Sequence, residues 1–180
     1  MDYSLTLFKS IFDNKTQKRM DFTSYTQFER LLFDLAQQKR EDKKSAPLIS
    51  PATYVEDTTR ANDNVLGWAG WCAVDVDEHV FDGDLEKELI DRYGKWNHIV
   101  YSTASSTQEH PKFRIVFPLS IHVPAEKIKH FWFALNKELG DIGDPQTKDL
   151  SRMYYVPGKY KGAYNFIFNN FCGVDMNPYE

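Results

Sequence analysis

The sequence predicts an α+β fold built on a mostly antiparallel sheet. Short apolar runs with two-residue alternation, bounded by turn residues, recur along the chain. Three further stretches carry apolar residues at helical spacing. The resulting order, β-α-β-α-β-β-α-β-β, is that of an α+β domain without internal repeats. At 180 residues the chain fits one domain. A hydrophobic fraction of 42%, with 13 Phe, 10 Tyr and 4 Trp, is enough for a substantial core.

Residues 3–12 set Tyr3, Leu5 and Leu7 against Ser4 and Thr6, a strand pattern that Asp13-Asn14 turns. Phe28, Leu31, Leu32 and Leu35 share a helix face between Ser24 and about Arg40, with Thr23 or Ser24 as N-cap. Lys39 to Lys44 is a mixed charge run, read as a solvated helix end and loop. Ser45 to Asn64 is rich in Pro, Ser, Thr and Asn, and is expected to be long and irregular. Val65 to Asp77 is mostly strand. Asp84 to Tyr93 is a short helix with Leu85, Leu89 and Ile90 on one side. His98 to Ser102 is a strand, Thr103 to Pro111 a Ser/Thr-rich loop, and Lys112 to Phe117 a strand closed by Pro118. A helix over Ala125–Leu139 begins at Pro124 and stops at Gly140. Gly143-Asp-Pro is a turn. Met153 to Val156 and Asn165 to Phe168 are the last strands, with Pro157-Gly158 between them and a loose tail after.

Net charge is −4, which argues against a blanket nucleic-acid binder but leaves room for a local basic groove. No run of 18 apolar residues occurs, and the N-terminus lacks the basic start and apolar stretch of a signal peptide. A soluble, cytoplasmic protein without a membrane partner is expected. Cys72 and Cys172 are too few for a cysteine-based zinc site, and a disulfide is not expected in a reducing compartment.

Three constellations carry chemistry. Asp75 and Asp77 end the run Trp71-Cys-Ala-Val-Asp-Val-Asp-Glu78. On a strand they share a face about 7 Å apart, with Val74 and Val76 packed beneath. Like charges that close repel unless a cation sits between them, and pairs of divalent cations drive phosphoryl transfer. A solvated strand face is the plainer alternative, and nucleases and glycosyltransferases share Asp-x-Asp. Lys112 and Arg114 share a face of their strand and, with the hydroxyls of Ser102 to Thr107, suit a triphosphate. Incidental charges on a polar face would give the same pattern. Asp144 sits in the turn after a helix, followed by Asp149-Leu-Ser-Arg152, where local turn capping competes with a role at a site. Of the histidines 79, 98, 110, 122 and 130, none shows zinc-protease spacing; His110 stands beside the basic strand, within reach of a phosphate. Trp68, Trp71, Trp96 and Trp132 read as core residues.

Taken in order, Ala73 to Asp77, Thr103 to Pro118, and Asp144 with Asp149 to Arg152 through Pro157-Gly158 resemble the archaeo-eukaryotic primase superfamily. The pattern looks most like the primase-polymerase domains of phages and plasmids. Pro47 through Arg60 to Asn64 looks like the lead-in of phage members, so the resemblance spans roughly residues 47–158. It implies an RNA-recognition-like sheet (residues 65–170) fused to a smaller N-terminal α/β unit (residues 1–64), with the active site in the cleft between. Asp75, Asp77 and Asp144 would hold two Mg²⁺ or Mn²⁺ ions. Ser105, Lys112 and Arg114 would hold the phosphates of an NTP or dNTP, supported by Arg152. Many members carry Ser-x-His in the second motif; here Thr107 follows Ser105-Ser106, and either His110 or the pair Lys112 and Arg114 fills that place.

The implied activity is template-directed nucleotidyl transfer on single-stranded DNA, in replication of a phage or mobile element, with a replicative helicase as a partner, separate or fused. Template contacts are expected from Arg60, Lys159 and Lys161, and from Lys15, Lys18 and Arg19. A non-catalytic single-strand-binding replication module competes with this reading. So do a small metal-dependent glycosyltransferase and a metal-dependent nuclease.

Overall fold

The computed structural model describes residues 2–180. β1 (Tyr3–Phe8) turns back into β2 (Arg19–Phe22), and α1 (Tyr25–Ala36) follows. Ser24 caps α1, its hydroxyl accepting from the Gln27 amide at 3.4 Å. The helix stops short of Arg40 because Lys39–Arg40 forms β3 instead. β4 (Leu48–Ser50) and β5 (Ala52–Tyr54) flank Pro51, which cannot donate to a ladder. The segment Ser45–Asn64 is therefore structured rather than irregular.

β6 (Val65–Trp68) and β7 (Trp71–Val76) break at Ala69-Gly70, where Gly70 takes a left-handed φ of 89°. α2 (Leu85–Tyr93) is capped by Asp84. β8 (His98–Ser102), β9 (Phe113–Pro118) and the short β10 (Val123–Pro124) precede α3 (Ile128–Glu138), which enters through a 3₁₀ turn at Ala125–Lys127. The chain ends with β11 (Tyr154–Tyr155), β12 (Lys159–Tyr160) and β13 (Ile167–Asn170).

Four sheets result, in the orders β11-β4-β1-β2, β10-β6-β5, β12-β3 and β13-β8-β9-β7. All named pairings are antiparallel except β12 with β3. The architecture is α+β, as the element order predicts. β11 lies late in the chain yet edges the sheet built from β1, β2 and β4, so that sheet is not confined to residues 1–64.

The β13-β8-β9-β7 sheet is covered on both faces. One face packs Val74, Val76, Ile115 and Phe117 against Leu89 of α2 and Phe131, Trp132 and Leu135 of α3. The other packs Trp71, Ala73, Ile99, Tyr101 and Val116 against Phe28 and Leu32 of α1 and Ile49 and Tyr154. The expected polar face on the Lys112–Phe117 strand is therefore absent: both faces meet apolar layers.

The tail is also tied down. Met176 is buried and bridges Leu119, Val174 bridges Trp96, and the Asp175 carboxylate accepts from the Tyr3 hydroxyl at 2.8 Å. Among the described residues no helix is long and apolar enough to cross a membrane.

Candidate active site

Asp75 is the last in-sheet residue of the second face, directly opposite Arg114 in the β7–β9 register. That register brings the two side chains together, and Arg114 Nε donates to Asp75 Oδ1. Both are buried, with side-chain exposures of 7% and 8%. Arg114 Nη1 also donates to the Tyr101 hydroxyl at 3.1 Å and the Tyr155 carbonyl at 2.9 Å. Its guanidinium lies 4.8 Å from the Tyr154 ring centroid. Burial alone would push this guanidinium's pKa down; the Asp75 carboxylate and the Tyr101 hydroxyl outweigh it and hold it up. The other Asp75 oxygen lies 3.7 Å from Arg152 Nη2, and Arg152 Nη1 lies 3.7 Å from Asp149.

Asp77 stands just past the end of β7 and is half-buried. Its carboxyl is raised above the ordinary range, first by burial, then by the charges of Asp75 and Asp144, against the pull of Arg114 and Lys112. Asp144 arrives from a remote part of the chain. Its amide donates to the Asp75 carbonyl at 2.9 Å, which docks the turn against the end of β7. Gly143 makes this approach close: a Cβ there would meet Asn136 Oδ1 at 2.6 Å and Val74 Cγ1 at 2.7 Å. One Asp144 oxygen caps the following turn by accepting from the Gln146 amide at 3.0 Å.

Two depressions meet at Asp77. A pocket of about 130 Å³ is lined by Lys43, Asp75, Asp77, Ser102 to Ser105, Arg114, Tyr155, Val156 and Tyr160. A wider one of about 670 Å³ runs over Asp77, Glu78, His79 and Asp141 to Gln146.

The fold thus gathers Asp75, Asp77, Asp144, Ser105, Arg114 and Arg152. Lys112 and His110 do not line the small pocket. Lys112 gives its amide to Ser106 Oγ at 3.1 Å, and the His110 amide donates to Thr107 Oγ1 at 3.0 Å. Arg114 lines the small pocket, but its Nε and Nη1 are already engaged by Asp75, Tyr101 and Tyr155. Arg60 is a tether rather than an open DNA contact: its Nη2 donates to the Ile11 carbonyl at 3.0 Å, and its Nη1 meets Met153 sulfur at 3.1 Å. Arg19 pairs with Asp21 at 2.7 Å, and Lys161 reaches Glu41 at 3.4 Å. Lys159 is exposed. Lys15 and Lys18 border a separate surface depression with Lys9 and Phe12. Residue-by-residue reading missed Lys43, Tyr155 and Tyr160, which lack any local motif.

The resemblance implies divalent cations. Carboxylates are the hard oxygen donors such ions take, and Asp77 and Asp144 both line the wider depression, where they could offer oxygens to one. Among the described residues, however, no group of three or more His, Cys, Asp or Glu side chains converges as a metal-ligand set. The reason is visible in Asp75, which is turned onto Arg114 and Arg152.

No protein-family model and no curated protein matches the sequence. Among solved structures, the fold is similar to the AEP domain of the primase-polymerase of cyanophage S-2L. The TM-score is 0.50 at 11% identity, over 98% of this chain and 84% of that one. The chain therefore has a primase-like α+β fold.

Proposed function

We propose that the protein is a template-directed nucleotidyltransferase, a DNA primase or primase-polymerase acting on single-stranded DNA. One observation carries the reading. Asp75 and Asp77 line a pocket walled by the Ser102–Ser105 loop, and Asp144, from a remote segment, shares with Asp77 the wider depression that adjoins it, in a primase-like fold.

Asp77 and Asp144, with Asp75 beside them, would hold Mg²⁺ or Mn²⁺. Bound there, the ions would lower the pKa of the attacking hydroxyl and neutralise charge on the departing pyrophosphate. The chain itself supplies position and field. The Asp75–Arg114 pair fixes the pocket floor, and the half-exposed Arg152 presents positive charge beside it. Ser105 offers a hydroxyl at the rim. Transfer then relies on orientation and on charge stabilisation in a site partly closed to water. Single-stranded template would follow exposed cations such as Lys159, with an affinity that falls as salt rises.

A second reading draws on the neutralised Asp75: a single-strand-binding replication module with no chemistry. Incorporation on primed and unprimed single-stranded DNA separates the two. NTPs and dNTPs are supplied separately with Mg²⁺ or Mn²⁺, and wild type is run beside Asp77→Asn and Asp144→Asn. Product from wild type alone supports the transferase. No product in any lane, with single-strand binding kept by the variants, leaves the binding module. DNA cleavage without added nucleotide points to a nuclease.

A further inference from the structure

Lys43 lies in the charge run that the sequence presents as solvated, yet the fold fixes its backbone. β3, just before it, pairs in parallel with β12, setting Lys39 beside Lys159 and Arg40 beside Tyr160. The Ala46 amide donates to the Lys43 carbonyl at 3.1 Å, and the Ser45 amide donates to Asp42 Oδ1 at 3.1 Å. Ala46 is fully buried, so the turn is anchored behind. The Lys43 side chain is the opposite: exposed, 6.0 Å from the Tyr155 ring centroid, and on the wall of the small pocket.

The charged groups lining that pocket are Asp75, Asp77, Arg114 and Lys43. Arg114 is committed to Asp75, Tyr101 and Tyr155. Lys43 makes no ion pair among the described residues, so it is the cation of this lining left to meet an anion, on the wall that it shares with the Ser102–Ser105 loop. The turn Thr103–Ser106 also lines the pocket, closed by the Ser106 amide on the Thr103 carbonyl at 3.2 Å. At its corner the amides of Ala104 and Ser105 and the Ser105 hydroxyl find no protein partner among the described residues. Peptide N–H groups at such a corner, with a mobile cation nearby, make an anion-binding concavity. At about 130 Å³ the pocket is smaller than the roughly 300 Å³ or more that a whole small-molecule ligand fills, and it suits phosphate groups.

Building on the nucleotidyl-transfer reading, we propose that Lys43 and the Thr103–Ser106 turn bind the terminal phosphates of the incoming nucleoside triphosphate. Lysine suits the task as a compact charge with three donors on a flexible stem. The phosphate-binding role expected of Lys112 and Arg114 thus passes to a residue of the N-terminal segment.

The test uses the full chain as wild type, Lys43→Ala, Lys43→Arg and Lys44→Ala. Tripolyphosphate binding is measured by calorimetry in metal-free buffer, and KM and kcat for nucleotide are measured on primed single-stranded DNA. Lys43→Ala is expected to weaken tripolyphosphate binding about 10- to 100-fold, the worth of one charge-assisted contact. It should raise KM by a similar factor and move kcat less. Lys43→Arg should recover most of the binding, and Lys44→Ala should match wild type. Tripolyphosphate binding by Lys43→Ala equal to wild type would overturn the proposal, as would an equal loss in Lys44→Ala or no binding by wild type. Binding that depends on Lys43, in a wild type that incorporates no nucleotide, would keep the anion site and remove the transferase reading.

Discussion

Asp75 and Arg114 face each other across the β7–β9 pair and close an ion pair that water barely reaches. Removing one partner of such a pair strands a buried charge, at a cost of about 3–5 kcal/mol, whereas replacing both with apolar groups is often nearly neutral. Asp75→Leu and Arg114→Met should each destabilise strongly, and the double variant should lose less than either alone. Urea denaturation of the four proteins checks this. It also means that inactivity of an Asp75 variant does not by itself identify a metal ligand.

Asp77 answers differently to pH. Its folded carboxyl titrates above the unfolded value of about 3.9, because burial and the neighbouring acids disfavour the charge. Between the two values the unfolded chain binds fewer protons than the folded one, so wild-type stability falls as pH rises through that window. Asp77→Asn lacks this fall. The variant should gain on wild type above the window and show no gain below it. Denaturation midpoints at acidic and neutral pH give the comparison; equal differences at both would refute it.

Gly143 sets the distance between Asp144 and β7. A methyl group at 143 would drive into Asn136 and Val74, and the Asp144 turn would shift. Gly143→Ala should destabilise by about 1–3 kcal/mol, the usual cost of overpacking. Catalysis should drop further than the stability loss explains, read as kcat at a temperature where the variant is fully folded.

Arg60 ties the loop after β5 to Ile11 and Met153. Arg60→Ala should cost about 1.5–3 kcal/mol, as loss of a charged hydrogen bond does. The salt dependence of single-strand binding should stay unchanged. A shallower slope with intact stability would make Arg60 a phosphate contact after all.

Much of this site was legible in local pattern. The apolar run into Asp75 and Asp77 predicted a strand end, and Ser24 with Phe28 and Leu32 predicted α1. Periodicity could not supply register. Nothing near Arg114 says that Asp75 stands opposite, so its burial against that carboxylate was not legible in the sequence. β4 and β5 escaped because three-residue strands buried throughout show no alternation, and Pro51 between them reads as a loop. Lys43 escaped for the converse reason: its neighbours are solvated, and only the β3–β12 pairing brings it to the pocket.

β11 begins two residues after Arg152 and knits the molecule together. Tyr154 and Tyr155 pair with Ile49 and Leu48, the Tyr154 hydroxyl donates to the Ala73 carbonyl at 3.0 Å, and the Val156 amide donates to the Pro47 carbonyl at 3.1 Å. A hinge between the N-terminal sheet and the strand that carries Asp75 would have to tear this seam. If the chain is a transferase, its substrates would meet a vestibule whose walls this seam joins, so that selectivity would rest on dimensions and charge rather than on a clamshell motion.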